Sequence, residues 1–261
     1  MDKVVLITGG SGGIGRECAL ALAKYSCRVY EMSRRECPVG GVSHIAGDVT
    51  CVDDCRRAVS TVLGREGRLD IVINNAGMGI SGSAEFTESE DAARQIGVNF
   101  LGTSNMCSAA LPPLRESGGR IVNISSMAAV TPIPFQAFYS ASKAAINAYT
   151  MALTNEVRPF GVSVCAVMPG DVATGFTDAR VKNDGEGVYA DRVSRSVSKM
   201  EKDERGGMSA AFVGRYVAKI ALKRRVKPFY VTRFDYKALA VLAKVLPCRT
   251  VNFIIGELYA K

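Results

Sequence analysis

Tyr139 and Lys143 stand four residues apart in a stretch, Tyr139-Ser140-Ala141-Ser142-Lys143, that reads as helix, so the two side chains share one helical face. A phenol with an ordinary pKa of about 10 exchanges protons poorly at neutral pH, and a nearby cation lowers that value. The pair suits general acid–base work on an oxygen atom. Ser126, thirteen residues earlier at the end of a strand-like run, offers a hydroxyl that can donate to the same oxygen. Ser125 is its rival, and strand alternation sends the two side chains to opposite faces. A second constellation, Gly9-Gly10-Ser11-Gly12-Gly13-Ile14-Gly15, follows an apolar N-terminal run and opens an Ala/Leu-rich helix. Backbone N–H groups in such a turn can approach a pyrophosphate closely, and the helix N-terminus adds partial positive charge. Its Gly-x-x-x-Gly-x-Gly spacing is one residue wider than the usual dinucleotide fingerprint.

These residues need a frame. The 261 residues are 48% apolar and 22% charged, a globular composition with enough chain to bury a large core. No apolar run reaches the roughly 20 residues of a membrane span, and the N-terminus reads as a first strand instead of a signal peptide. A cytoplasmic protein, possibly peripheral to a membrane, is the expectation. The eight cysteines (Cys18, Cys27, Cys37, Cys51, Cys55, Cys107, Cys165 and Cys248) are scattered and read as reduced structural thiols. Cys51 and Cys55 are spaced for neither a zinc ribbon nor a redox pair. With one histidine, His44, in a strand-like run, no metal site is expected. The net charge of +8 is concentrated after Gly214, where eleven Lys/Arg face two acids, Asp235 and Glu257. The nearly neutral remainder argues against a nucleic-acid partner.

Short β-rich runs at 3–8, 28–33, 42–46, 69–74, 119–125, 162–168 and 228–232 alternate with helical patterns at 14–25, 52–66, 88–115, 138–158 and 208–224. Near-continuous apolar strands separated by helices imply a parallel sheet of about seven strands covered on both faces, doubly wound, with ligands at the carboxyl ends of the strands. The connection from Ser33 to Val42, holding Pro38, is too short for a full helix.

The Gly turn after Thr8, Asp48-Val49, Asn74-Asn75-Ala76-Gly77, Asn99 within Val98-Asn99-Phe100-Leu101-Gly102, Ser126, Tyr139 with Lys143, and Pro169-Gly170 with Thr174 follow one another in order. Together they resemble the motif series of the single-domain branch of the short-chain dehydrogenase/reductase family, over about residues 3–232. The resemblance implies a single-domain Rossmann-like α/β fold and an oxidoreductase that interconverts a carbonyl and a secondary alcohol. It implies that Asn99, Ser126, Tyr139 and Lys143 are catalytic, with Lys143 also bonding the nicotinamide ribose and Asn99 holding a proton-relaying water. It places Gly9, Ser11, Gly12, Gly13, Ile14 and Gly15 at the pyrophosphate, and Asp48 and Val49 at the adenine. Asn75, Ala76 and Gly77 would pass under the adenosine ribose; Pro169, Gly170, Val172 and Thr174 would flank the nicotinamide. At the end of the second strand an acid would favour NAD, whereas Ser33, Arg34 and Arg35 stand there and favour the 2′-phosphate of NADP. Glu31 falls two residues early, inside the strand. A homodimer or homotetramer through the helices carrying Asn99 and Tyr139 is implied as well.

Residues 174–209 fall where that family keeps a substrate lid; they are polar and punctuated by glycines, including Asp184-Gly185-Glu186-Gly187. Phe176, Val181, Val188, Tyr189, Val193, Val197 and Met200 could line a lipophilic pocket or form the buried face of lid helices. Met78, Met127, Val130, Ile133, Pro134 and Phe135 lie near the expected mouth, and a steroid, acyl ketone or 3-oxoacyl substrate is the expectation. Residues 233–261 read as a basic amphipathic extension that either contacts an anionic membrane or packs on the fold or a partner subunit. The principal rival is a non-catalytic NADP-binding regulator of the same fold. An enoyl reductase would carry a wider Tyr-to-Lys spacing, and an epimerase a longer substrate domain.

Overall fold

Seven strands pair in parallel in the computed structural model, which describes residues 2–36, 40–183 and 187–260. They are β1 (Val4–Thr8), β2 (Arg28–Ser33), β3 (Val42–Ala46), β4 (Ile71–Asn74), β5 (Arg120–Ile124), β6 (Ser163–Met168) and β7 (Phe229–Val231). Their order across the sheet is β7-β6-β5-β4-β1-β2-β3. The winding therefore reverses beside β1, which opens a crevice at the carboxyl ends of β1 and β4. Pro38 and the segment Asp184-Gly185-Glu186, named above, lie outside the described residues, as does Cys37.

The helices are α1 (Gly13–Lys24), α2 (Val52–Glu66), α3 (Ser89–Ile96), α4 (Gly102–Ser117), α5 (Ala137–Val157), α6 (Ala190–Arg205), α7 (Ala210–Ala221), α8 (Phe234–Val245) and α9 (Cys248–Tyr259). Central strands such as β1 and β4 are buried along their whole length because both faces of the sheet are covered. On one face Leu6, Val72 and Ile121 meet Val59, Met106, Leu114 and Leu153 of α2, α4 and α5. On the other, Ile7, Ile73 and Val122 meet Leu22 of α1 and Val213 and Val217 of α7. Asp70 ties the start of β4 to the start of β1: its carboxylate accepts from Val4 N–H at 3.0 Å, Lys3 Nζ at 3.0 Å and Arg68 Nη2 at 2.6 Å.

One expectation needs correction. The helical pattern over 88–115 is interrupted by a π-helical turn, Gly97–Leu101, between α3 and α4, and Asn99 sits inside it. Such wide turns occur mostly where side chains must be re-aimed at functional positions. The lid carries a 16-residue helix, α6, in line with the reading of its apolar residues as the buried face of lid helices. Val193, Val197 and Met200 form the buried face of α6 against Ile133, Phe135, Tyr189 and Tyr259, so these lid residues are packing residues. Val181 and Val188 are exposed.

Candidate active site

The Gly turn joins β1 to α1, and its backbone geometry depends on missing side chains. Gly9 and Gly13 have φ of 67° and 51°, a region that L-residues with side chains rarely enter. A β-carbon on Gly15 would lie 2.4 Å from both Gly9 O and Asn75 Nδ2. The turn is stitched to the end of β4: Asn75 Nδ2 donates to Thr8 O at 3.1 Å and Gly9 O at 3.0 Å, while Thr8 Oγ1 accepts from the N–H groups of Asn75 and Ala76. Gly12 precedes α1 in an extended conformation, and no side chain caps the first turn. The uncapped first-turn N–H groups, with the positive end of the helix behind them, form an anion cradle. The residues present therefore fit a dinucleotide.

Around the cradle the remaining cofactor candidates take separate places. Ser33, Arg34 and Arg35 stand beside the turn at the end of β2, where Gly9 N–H donates to Met32 O at 2.8 Å; both arginines are exposed. Glu31 is buried and turned inward, pairing with His44 Nδ1 on β3 directly opposite. His44 thus partners a buried acid away from Tyr139. Asp48 Oδ1 accepts both the N–H and the hydroxyl of Thr50, at 2.9 and 2.8 Å, and Val49 is buried behind it. Pro169 O accepts from Met127 N–H at 2.9 Å, which joins the turn after β6 to the residue following Ser126. Val172 pairs with Met208 in a short parallel bridge. Thr174 lies across from the Gly turn, its Cβ 3.5 Å from a β-carbon built on Gly13.

Tyr139, Lys143, Ser126 and Asn99 converge at the carboxyl ends of β4 and β5. Lys143 is buried and its ammonium donates to Ile124 O at 2.9 Å, with Nζ 5.7 Å from the Tyr139 ring centroid. Ser126 Oγ accepts from Ala128 N–H at 3.1 Å and lies close enough to the Tyr139 phenol to lower its pKa. Ser125 Oγ instead donates to Lys143 O at 3.1 Å, back into α5, which separates the two rival serines by role. Asn99 is fully buried. Its Oδ1 accepts from Met78 N–H at 2.8 Å, and its Nδ2 donates to Met78 O and Ser142 Oγ, both at 3.0 Å. Both amide hydrogens of Asn99 are thereby taken. The side chain clamps the segment beside Gly77, and the water relay expected of it has no amide hydrogen left to use.

Burial sets the proton affinities. It pushes the Tyr139 phenol up to about 12, against a lowering by the Ser126 hydrogen bond; Glu204 and Asp171 nearby raise it further and Arg180 opposes them. Burial likewise pushes the Lys143 ammonium down to about 8. Desolvation therefore dominates in the chain itself, and the groups that lower the phenol there are Ser126 and Arg180. The phenol is held protonated at neutral pH, the state a proton donor needs.

The lid contributes Phe176, already a pocket candidate, together with polar partners that local spacing did not reveal. Phe176 rests on Tyr139, ring centroids 5.9 Å apart, and the Arg180 guanidinium lies 5.8 Å from the Phe176 ring centroid. Arg180 is buried and paired with Glu204, which also accepts from Thr177 Oγ1 at 2.6 Å. Asp171 accepts from Tyr236 Oη at 2.6 Å, and burial raises its pKa. Arg180 and Glu204 lie 24 positions apart, so no local pattern could join them.

Comparison with known proteins agrees with this geometry. The family model for short chain dehydrogenase matches residues 3–185. A 3-ketodihydrosphingosine reductase from Bacteroides thetaiotaomicron is 43% identical, with 99% of this chain and 98% of that protein covered. A short chain dehydrogenase from Burkholderia cenocepacia, solved in complex with NADP, superposes with a TM-score of 0.80 at 25% identity, covering 97% of each chain. A short chain dehydrogenase/reductase from Burkholderia phymatum, solved in complex with NAD, superposes with a TM-score of 0.81 at 23% identity over 92% of each chain. With its parallel sheet, its uncapped Gly turn and its Ser126–Tyr139–Lys143 cluster, the chain belongs to the short-chain dehydrogenase/reductase family of oxidoreductases.

Proposed function

We propose that the chain is an NADP(H)-dependent reductase that interconverts a lipid ketone and its secondary alcohol, with 3-ketodihydrosphingosine-like substrates foremost. The observation that carries this reading is the convergence of a protonated phenol, a serine hydroxyl and a buried ammonium beside the Gly cradle. The nicotinamide cofactor, when bound, supplies or accepts the hydride. Tyr139 gives its proton to the carbonyl oxygen as charge develops there, and the Ser126 hydroxyl donates to the same oxygen and orients it. Lys143, poised near 8, holds positive charge next to the phenol and can restore its proton. Asn99 fixes the Met78 backbone and so the wall beside Gly77, whose built β-carbon would stand 3.3 Å from Asn99 Oδ1 and 3.7 Å from Lys143 Nζ.

Preference for NADP rests on the exposed Arg34 and Arg35 beside the turn. Lipophilicity rests on the likeness to the 3-ketodihydrosphingosine reductase, which the chain matches over nearly the whole length of both. Leu101 and Met151, exposed on or beside the helices that carry Asn99 and Tyr139, favour a homodimer or homotetramer through those helices. The test is NADPH oxidation with 3-ketodihydrosphingosine, ketosteroids, acyl ketones and 3-oxoacyl thioesters. Turnover is expected on at least one lipid ketone, and Tyr139→Phe should lower it by about 10²–10⁴-fold while NADPH binding persists. Tight NADPH binding with no turnover on any carbonyl would favour the regulatory protein instead.

A further inference from the structure

Helix α8 is apolar on two opposite faces. Its inner face, Tyr236, Leu239 and Ala240, packs on Met127, Val130, Met168 and Val231. On the outer side Phe234, Ala238, Val241, Leu242 and Val245 fall within an arc of roughly 100° at 3.6 residues per turn. All five are exposed, Phe234 at 81% and Val245 at 76%. Helix α9 continues the pattern: Ile255 is buried and Tyr259 packs beside α6, whereas Phe253 (66% exposed), Ile254 and Leu258 face outward. Single exposed apolar residues are ordinary, but seven large ones and an alanine on two consecutive helices form a surface built to be covered.

Charge identifies what covers it. Lys237 and Lys244 lie seven residues apart along one flank of the outer arc of α8, and Arg233 and Arg249 stand at the starts of α8 and α9; all four are exposed. Asp235 and Arg233 offset each other, with Nε donating to Oδ1 at 2.7 Å, and Glu257 is exposed on α9, so Lys237, Lys244 and Arg249 carry the excess of positive charge. A second copy docked face to face would set these cations against themselves, because a two-fold interface repeats the same patch on both sides. An anionic bilayer surface satisfies both the apolar arc and its basic flank.

We infer that the outer face of α8 and α9 docks on an anionic lipid surface and sets the active site against it. The inner side of the same helix supplies the link. Tyr236 reaches Asp171 in the turn after Gly170, Met127 follows Ser126 directly, and Val130 closes the short turn after it. Tyr259 Oη donates to Asp203 Oδ2 on α6 at 3.1 Å, so α9 braces the lid as α8 braces the floor. One helix diameter, about 10 Å, separates the docking face from the catalytic floor. Delivery of a lipid ketone from the bilayer rests on the proposed function; docking itself does not.

The full chain is floated with vesicles of phosphatidylcholine alone and of phosphatidylcholine with phosphatidylglycerol, and its oligomeric state is measured by sedimentation. Co-flotation with the anionic vesicles is expected, reversed by salt. Lys237→Gln with Lys244→Gln should weaken binding roughly 30-fold. Val241→Glu with Val245→Glu, both on the outer face, should abolish flotation while turnover of a water-soluble ketone without vesicles is retained. A chain that stays with the vesicle-free fractions overturns the docking surface. So does a dimer that dissociates on Val241→Glu with Val245→Glu, since a second copy then covers the face. Flotation without turnover of any ketone would sink the reductase reading and leave the docking standing.

Discussion

At the scale of single residues, the site is governed by desolvation more than by paired charges. Tyr139 reaches about 12 although Lys143 stands one helical turn away, because burial outweighs every neighbouring group. Arg180 is among the groups opposing that rise, and Glu204 among those adding to it. Arg180→Met removes the opposing cation and leaves the acid unpaired, so both changes raise the phenol's pKa. In the oxidative direction, which needs the phenolate, the rise of kcat/KM with pH should move to higher pH. A profile that stays in place would refute the electrostatic role of Arg180. Arg34→Asp should weaken NADPH by about 10–100-fold, the range of charge-assisted hydrogen bonds, and leave NADH nearly unchanged in fluorescence titration. Equal losses for both cofactors would remove the argument for NADP.

Among the elements, the Gly turn leaves no room for a side chain at Gly15. Gly15→Ala would bring a β-carbon to 2.4 Å from Gly9 O, which is backbone and cannot step aside. Loss of NADPH binding and a fall in stability of about 1–3 kcal/mol in urea titration are expected. This turn was legible in the sequence because its requirements are local, and β2, β3 and α2 likewise match the expected bounds of 28–33, 42–46 and 52–66. Their apolar runs end in abrupt polar or glycine punctuation. The π turn around Asn99 was not legible, since its cause is a clamp on Met78 twenty-one positions away. The anchors of α6, Val193, Val197 and Met200, were legible as the buried face of a lid helix, whereas its bounds were not, because charged residues dilute the pattern over the rest of its surface. The candidate catalytic residues could be read from order and spacing. Their pKa values could not, because burial is a property of the assembled fold.

For the whole molecule, the last two helices act as structure and surface at once. The sequence posed packing and membrane contact as alternatives for this extension; α8 packs one apolar face on the core and leaves a second one exposed, because its apolar residues run around it. Ending the chain after Arg233 would uncover Met127, Met168 and Val231, so a drop in Tm and aggregation are expected in a thermal scan with light scattering. An unchanged Tm would mean that α8 adds nothing to the core. The lid has a different kind of consequence. Phe176 lies against Tyr139 on the lid side, so on the proposed function a carbonyl that approaches from that side must displace the ring. On the proposed function, the affinity measured for any ketone is its intrinsic affinity scaled by the fraction of molecules whose Phe176 ring has swung clear. A substrate with a long tail gains contacts that can hold the ring aside, and a short ketone does not. Selectivity for chain length would then arise without any pocket that measures the chain.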